Sequence, residues 1–193
     1  VMSQSFGRFE LSVASNVLAR RGTFRSAAVL FVAVIGWSGC DGGTTAPPGT
    51  DGGPPPTGET GRLVGMTAAH NRWRASVGDA TPAIPPVTWS TSLAALAQAY
   101  SETLASTGCG LTHSRGAYGE NLAWFGGSRA TPDEVVDAWA SERACYTYGA
   151  FMAGDVCTSA CDGSGGCGHY TQVIWRTTER IGCGVALCPS GAE

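Results

Sequence analysis

Residues 41–61 read DGGTTAPPGTDGGPPPTGETG, with no aliphatic side chain larger than alanine or proline. Such a stretch cannot bury a core and behaves as an extended tether, so the folded part must lie to one side of it. The longer side begins near Arg62, which leaves room for one ordinary domain in a chain of 193 residues. Charged residues make up only 14%, against about 25% in average soluble domains, so the surface is polar more than ionic. All 12 basic residues are arginine, and the lack of lysine excludes Schiff-base and P-loop lysine chemistry. A net charge of −3 offers no surplus of cations for phosphates and argues against a nucleic-acid partner. The 8 cysteines fit an oxidising compartment, where disulfides persist.

Arg20, Arg21 and Arg25 precede an apolar run at residues 27–35 (AAVLFVAVI) that stops at Gly36. It is too short to span a bilayer, which takes about 20 residues, and its charge order reads as an export signal. A buried strand of the domain is the competing reading. The run ends in Trp37-Ser38-Gly39-Cys40. Small residues directly before a cysteine look like a bacterial lipoprotein processing site, with Cys40 as the lipidated first residue of a cell-envelope protein; Trp37, where leucine is usual, leaves open plain secretion with cleavage nearby or anchoring by an uncleaved segment. The expected organisation is a signal region at 1–39, a disordered tether at 40–61 and a folded domain at 62–193. Any membrane contact is then made through the lipid anchor alone.

Within the domain, Met66, His70, Trp73 and Val77 form one stripe of a helix, with Arg72 and Arg74 on other faces. A second helix is capped by Ser90 or Thr91, carries Leu93, Leu96, Ala97, Tyr100 and Leu104 on one face, and stops at Gly108. A third starts with a capping box, Thr131-Pro132-Asp133-Glu134, and its stripe is Val135, Ala138, Trp139 and Glu142. A carboxylate that continues an apolar stripe must be paired, solvated or protonated. Residues 169–175 (HYTQVIW) and 181–188 (IGCGVALC) read as two strands of an antiparallel hairpin joined by residues 176–180. Helices followed by a hairpin imply an α+β fold.

The chemistry-bearing residues are few. Residues 163–168 fit G-x-G-x-x-G, but no strand precedes them and no helix pattern follows, so they are no nucleotide site. Cys157, Cys161, Cys167 and His169 match no usual zinc spacing, and export makes disulfides the better reading. His70, Glu120, Glu142 and His169 remain as imidazoles and carboxylates on inward-pointing positions.

In order, the chain carries His70-Asn71-Arg72-Trp73-Arg74, Gly119-Glu120-Asn121-Leu122, Trp139-Ala140-Ser141-Glu142 and, at residues 168–175, GHYTQVIW. These motifs resemble the CAP superfamily of cysteine-rich secretory, antigen 5 and pathogenesis-related-one proteins, in a bacterial exported form. The resemblance implies a three-layer α-β-α sandwich, here lacking the family's last strand, before which this sequence stops. It implies a cleft tetrad of His70, Glu120, Glu142 and His169, with His70 and His169 holding a divalent cation such as zinc weakly. It implies a disulfide from Cys109 to Cys188, another from Cys161 or Cys157 to Cys167, and Cys183 left without its usual partner; Cys145 has no family counterpart and is left to pair with whichever of Cys157 and Cys161 remains. His113, in a segment that the family shares, is read as structural. The implied function is a non-catalytic binding module for a lipid, sterol, divalent metal or extracellular or envelope protein. The rival is a metal-dependent hydrolase in which Glu120 or Glu142 serves as base.

Overall fold

The computed structural model describes residues 29–36, 58–126, 130–149 and 166–189. Four helices start where local chemistry can supply their unpaired amides. In α1 (Met66–Ala75), the distant Glu59 carboxylate does so, accepting from the amides of Gly65 at 2.9 Å and Thr67 at 2.6 Å. For α2 (Thr91–Ser106) the cap is the Ser90 hydroxyl, which accepts from the Leu93 amide. Gly108, at φ 97°, turns the chain out of it. Helix α3 (Pro132–Ala140) has the expected capping box, then tightens into a 3-10 turn, Ser141–Cys145.

The expected hairpin does not form, because residues 168–173 are helical: α4 is Gly168–Val173. β-Branched and aromatic residues favour a strand here, but that preference is weak. The Glu142 carboxylate takes the Tyr170 amide at 3.0 Å, and Thr171 bonds back to the Cys167 carbonyl through both its amide and its hydroxyl. These contacts outweigh it. The strands are β1 (Val29–Gly36), β2 (Thr88–Trp89), β3 (Gly119–Phe125) and β4 (Arg180–Leu187). They form one sheet in the order β2-β4-β1-β3, with β2 parallel to β4 and the other pairs antiparallel.

β1 falls within the run read above as part of an export signal, and it lies between β3 and β4. It also supplies a strand to a sheet expected to be one short. Its apolar character suits a strand paired on both sides, and its backbone satisfies ladders that β3 and β4 would otherwise leave open. Cys40, Cys157, Cys161 and the tether residues 41–57 lie outside the described residues.

Helices cover both faces of the sheet, as the sandwich reading requires. On one face α2 lies almost on the backbone of β4. A Cβ at Gly182 would fall 2.1 Å from the Ala94 amide nitrogen, and one at Gly184 2.3 Å from that of Gln98. The Gln98 side chain closes the β4 edge beyond β2, accepting from the Val185 amide and donating to its carbonyl. The opposite face buries Ala33, Ala123 and Cys183 among Met66 and Ala69 of α1, Val135 and Trp139 of α3, and Tyr170 of α4. Two stripe positions differ from expectation: Leu96 is half exposed and Ala138 faces outward, since the helices turn Ala97 and Val136 to the core.

Cys109 and Cys188 form the expected disulfide, spanning 79 residues. Cys145 and Cys167 each take part in a disulfide as well. Cys183 is a buried free thiol, with burial raising its pKa. It stands opposite Ala33 in the ladder.

Two outcomes follow from this packing. Ala33→Cys should place a second thiol across from Cys183, and mild oxidation should link β1 to β4, as read by non-reducing peptide mapping. Two free thiols after oxidation would remove β1 from the sheet. Gly184→Ala should cost about 3 kcal/mol in urea unfolding, the upper range for overpacking. Gly78→Ala, where nothing lies within 4 Å, should change stability little.

Candidate functional site

Glu142 continues the apolar side of α3 into the buried 3-10 turn, and the need for a partner is met by α4. Its Oε1 accepts from His169 Nδ1 at 2.7 Å, and its carboxylate also takes the Tyr170 amide. A carboxylate at the start of a helix is favoured there by the exposed amides. The His169 carbonyl accepts from Asn121 Nδ2 at 3.0 Å, which ties α4 to β3. With Nδ1–H directed at a carboxylate, Nε2 carries the ring's lone pair in the neutral form. The His169 side chain is 19% exposed.

A second pair stands at the start of β3. Glu120 Oε1 accepts from His113 Nδ1 at 2.6 Å and from the Ser114 amide at 3.0 Å. The loop that carries His113 is held by the disulfide at Cys109, by the Tyr100 hydroxyl on the Thr112 carbonyl, and by the Ser114 hydroxyl on Tyr118. Glu120 Oε2 is buried and has no hydrogen-bond partner.

The expected tetrad is therefore brought together differently. Glu142 and His169 meet as anticipated, but Glu120 takes His113, which the sequence had marked as structural, and not His70. His70 is 1% exposed, donates from Nδ1 to the Met66 carbonyl at 2.8 Å and lies against Trp139. Its Nε2 is buried without a partner. Burial lowers its pKa to about 4. The metal pair His70 and His169 is thus not what the fold presents, because His70 is sealed between helices. Among the described residues, no three of His, Cys, Asp and Glu gather as a metal cluster. What the sequence offered for His113 was its place close before Glu120, in a loop starting at Cys109; periodicity carries no signal for it.

Arg74 also departs from expectation. Instead of lying on an outer face it is 1% exposed, donating to the carbonyls of Pro85, Val173, Trp175 and Thr178. It locks α1 to the turn that follows α4. Arg72 is the exposed partner, paired at 2.8 Å with both Asp133 and Asp137 of α3.

Helices on both faces of a sheet, a disulfide that ties the end of α2 to the end of β4 and two imidazoles oriented by buried carboxylates together define the class of fold. The cysteine-rich secretory protein family, CAP, matches residues 67–193, and the chain belongs to that family. It is 41% identical over 123 residues to pathogenesis-related protein 1C of Nicotiana tabacum, covering 64% of this chain and 65% of that one. It is 41% identical over 122 residues to pathogenesis-related protein 1 of Arabidopsis thaliana, covering 63% and 65%. Pathogenesis-related leaf protein 4 of Solanum lycopersicum is 44% identical over 124 residues, covering 64% and 67%. The chain spans about 65% of the length of the first of these curated relatives.

Burial of His70 sets a pH dependence. Above about pH 6.5 the ring is neutral in both folded and unfolded chains. Below it the unfolded chain takes up a proton that the folded chain refuses until about pH 4. Stability should therefore fall across that window, by about 3 kcal/mol in total. The slope between pH 6.5 and 5 in urea unfolding should be smaller in His70→Leu than in wild type. Equal slopes would contradict the assignment.

Proposed function

We propose that this chain is an exported, non-catalytic binding module whose ligand-facing groups are the Nε2 atoms of His169 and His113. One observation carries the reading: each imidazole has its Nδ1 held by a buried carboxylate that also accepts a backbone amide. A carboxylate so committed orients its ring, and it is poorly placed to leave and act as a base. Export is supported by the disulfides and by membership of a family described as secretory. Lipids, sterols and extracellular proteins remain within this reading as ligand classes for the rest of the surface.

The donor set also fits a divalent cation. Neutral imidazoles with Nδ1–H on a carboxylate are the arrangement that metal-binding histidines adopt, with the carboxylate as outer support. When bound, zinc would supply a Lewis acid at Nε2. Protonation competes with metal at that atom, so acidification weakens binding.

Zinc titration by calorimetry tests the reading. His169→Ala and His113→Ala should each reduce zinc uptake, and Glu142→Gln should weaken it about tenfold by releasing the His169 ring. His70→Leu should leave it unchanged. Equal uptake by wild type and the His113→Ala/His169→Ala double variant would place any site elsewhere. Zinc-loaded protein that hydrolyses esters or peptides, and loses the activity in Glu120→Gln, would replace the binding reading with the hydrolase one.

A further inference from the structure

A concavity of about 500 Å³ is lined by Tyr146, Tyr148, Trp175 and Arg176, together with Thr81, Gly149, Thr171, Ile174 and Thr177. That volume lies in the range of small-molecule sites. Neither His113 nor His169 lines it, and among the described residues none that lines it is acidic.

Among the described residues, the charge at this pocket is unbalanced. Arg176 donates to the carbonyls of Pro82 and Ala83 and to the Tyr148 hydroxyl, all of them neutral acceptors. Arg74, behind it, is likewise surrounded by carbonyls. The two cations are close enough that Arg176 adds to burial in lowering the Arg74 pKa, to about 10, which still leaves Arg74 charged at neutral pH. Carbonyl dipoles hold a guanidinium in place but do not cancel its charge, and water is partly excluded by the rings around it. A positive potential is therefore concentrated on a cavity with aromatic walls.

The rings are braced. Tyr146 lies edge-on to Tyr148, with centroids 6.3 Å apart, and to Tyr170 at 5.5 Å. Its hydroxyl is fixed on the Gly149 carbonyl and Tyr148 by Arg176. Trp175 remains 42% exposed despite its size. Large exposed aromatics beside a charged group are a recurrent feature of binding sites.

We propose that this pocket binds a small organic anion consisting of a planar ring with a carboxylate, the rings of Tyr148 and Trp175 stacking on its body and Arg176 receiving the carboxylate. The guanidinium retains N–H groups beyond those used on the protein, and its planar fork matches a carboxylate in two parallel hydrogen bonds. A bare phosphate would use the charge but leave the aromatic walls unfilled. The site is separate from the imidazole pairs and does not rest on their proposed role.

The experiment is calorimetric titration of the full chain with benzoate, with its neutral isostere benzamide and with inorganic phosphate. Benzoate should bind at least about tenfold more tightly than benzamide, as expected for one charge-assisted contact, and more tightly than phosphate. Arg176→Gln should weaken benzoate by a similar factor. Should that variant fail to fold, Thr177→Glu keeps every contact of Arg176 and adds a competing carboxylate at the exposed rim, and should abolish binding. The His113→Ala/His169→Ala variant should bind benzoate as wild type does, so that a failure of the zinc reading and a failure of this one are told apart. Equal binding of benzoate and benzamide, or unaltered binding in Thr177→Glu, would overturn the proposal. Phosphate binding as tightly as benzoate would overturn it too, leaving a simple anion site.

Discussion

The buried Glu142 carboxylate is the joint on which the helical layer and the site both depend. It leaves α3 through a 3-10 turn, which places its carboxylate against the start of α4. The His169 ring and the Tyr170 amide together supply that answer. A lone carboxylate in this position would carry a desolvation cost of several kcal/mol, so the helical start of α4 is part of what makes the burial tolerable. Asn121 then carries the arrangement to the sheet through the His169 carbonyl. One buried carboxyl group thus ties α3, α4 and β3 together and orients an imidazole at the same time.

Close approach of helix to sheet is the second condition. Gly182 and Gly184 place α2 so near β4 that any side chain would meet main-chain atoms of Ala94 and Gln98. The glycines therefore serve packing, with no demand on backbone conformation. On the far face Arg74 performs the comparable task with a long side chain, gathering four carbonyls that no regular element satisfies. Its unneutralised charge, beside that of Arg176, is also what makes the aromatic pocket electropositive.

Both imidazole pairs share a design in which the carboxylate is buried deeper than the ring it holds. Glu120 and Glu142 have side chains 5% and 8% exposed, against 39% for His113 and 19% for His169. Burial fixes the acceptor, and the ring that it holds stays partly exposed. His70 shows the contrast, since an imidazole bonded to a helix carbonyl and covered by Trp139 has its pKa lowered and no route to a ligand.

Sequence alone determined those features in which the decisive partner is near in the chain or the composition leaves one choice. The α3 capping box, the α2 cap at Ser90, the burial of Met66 and His70 on one stripe of α1 and the demand that Glu142 be paired are of this kind. The four ordered motifs and the Cys109–Cys188 disulfide were legible through family resemblance. Tertiary structure decided the rest, because the deciding contacts join residues far apart. Residues 168–173 are helical because Glu142 and Cys167 hold their amides. Residues 29–36 enter the sheet because β3 and β4 leave two ladders to be filled between them, and no local pattern distinguishes such a strand from an export signal. His113, not His70, partners Glu120, since which imidazole reaches a carboxylate depends on how a loop is folded back, and spacing in the chain does not encode that path.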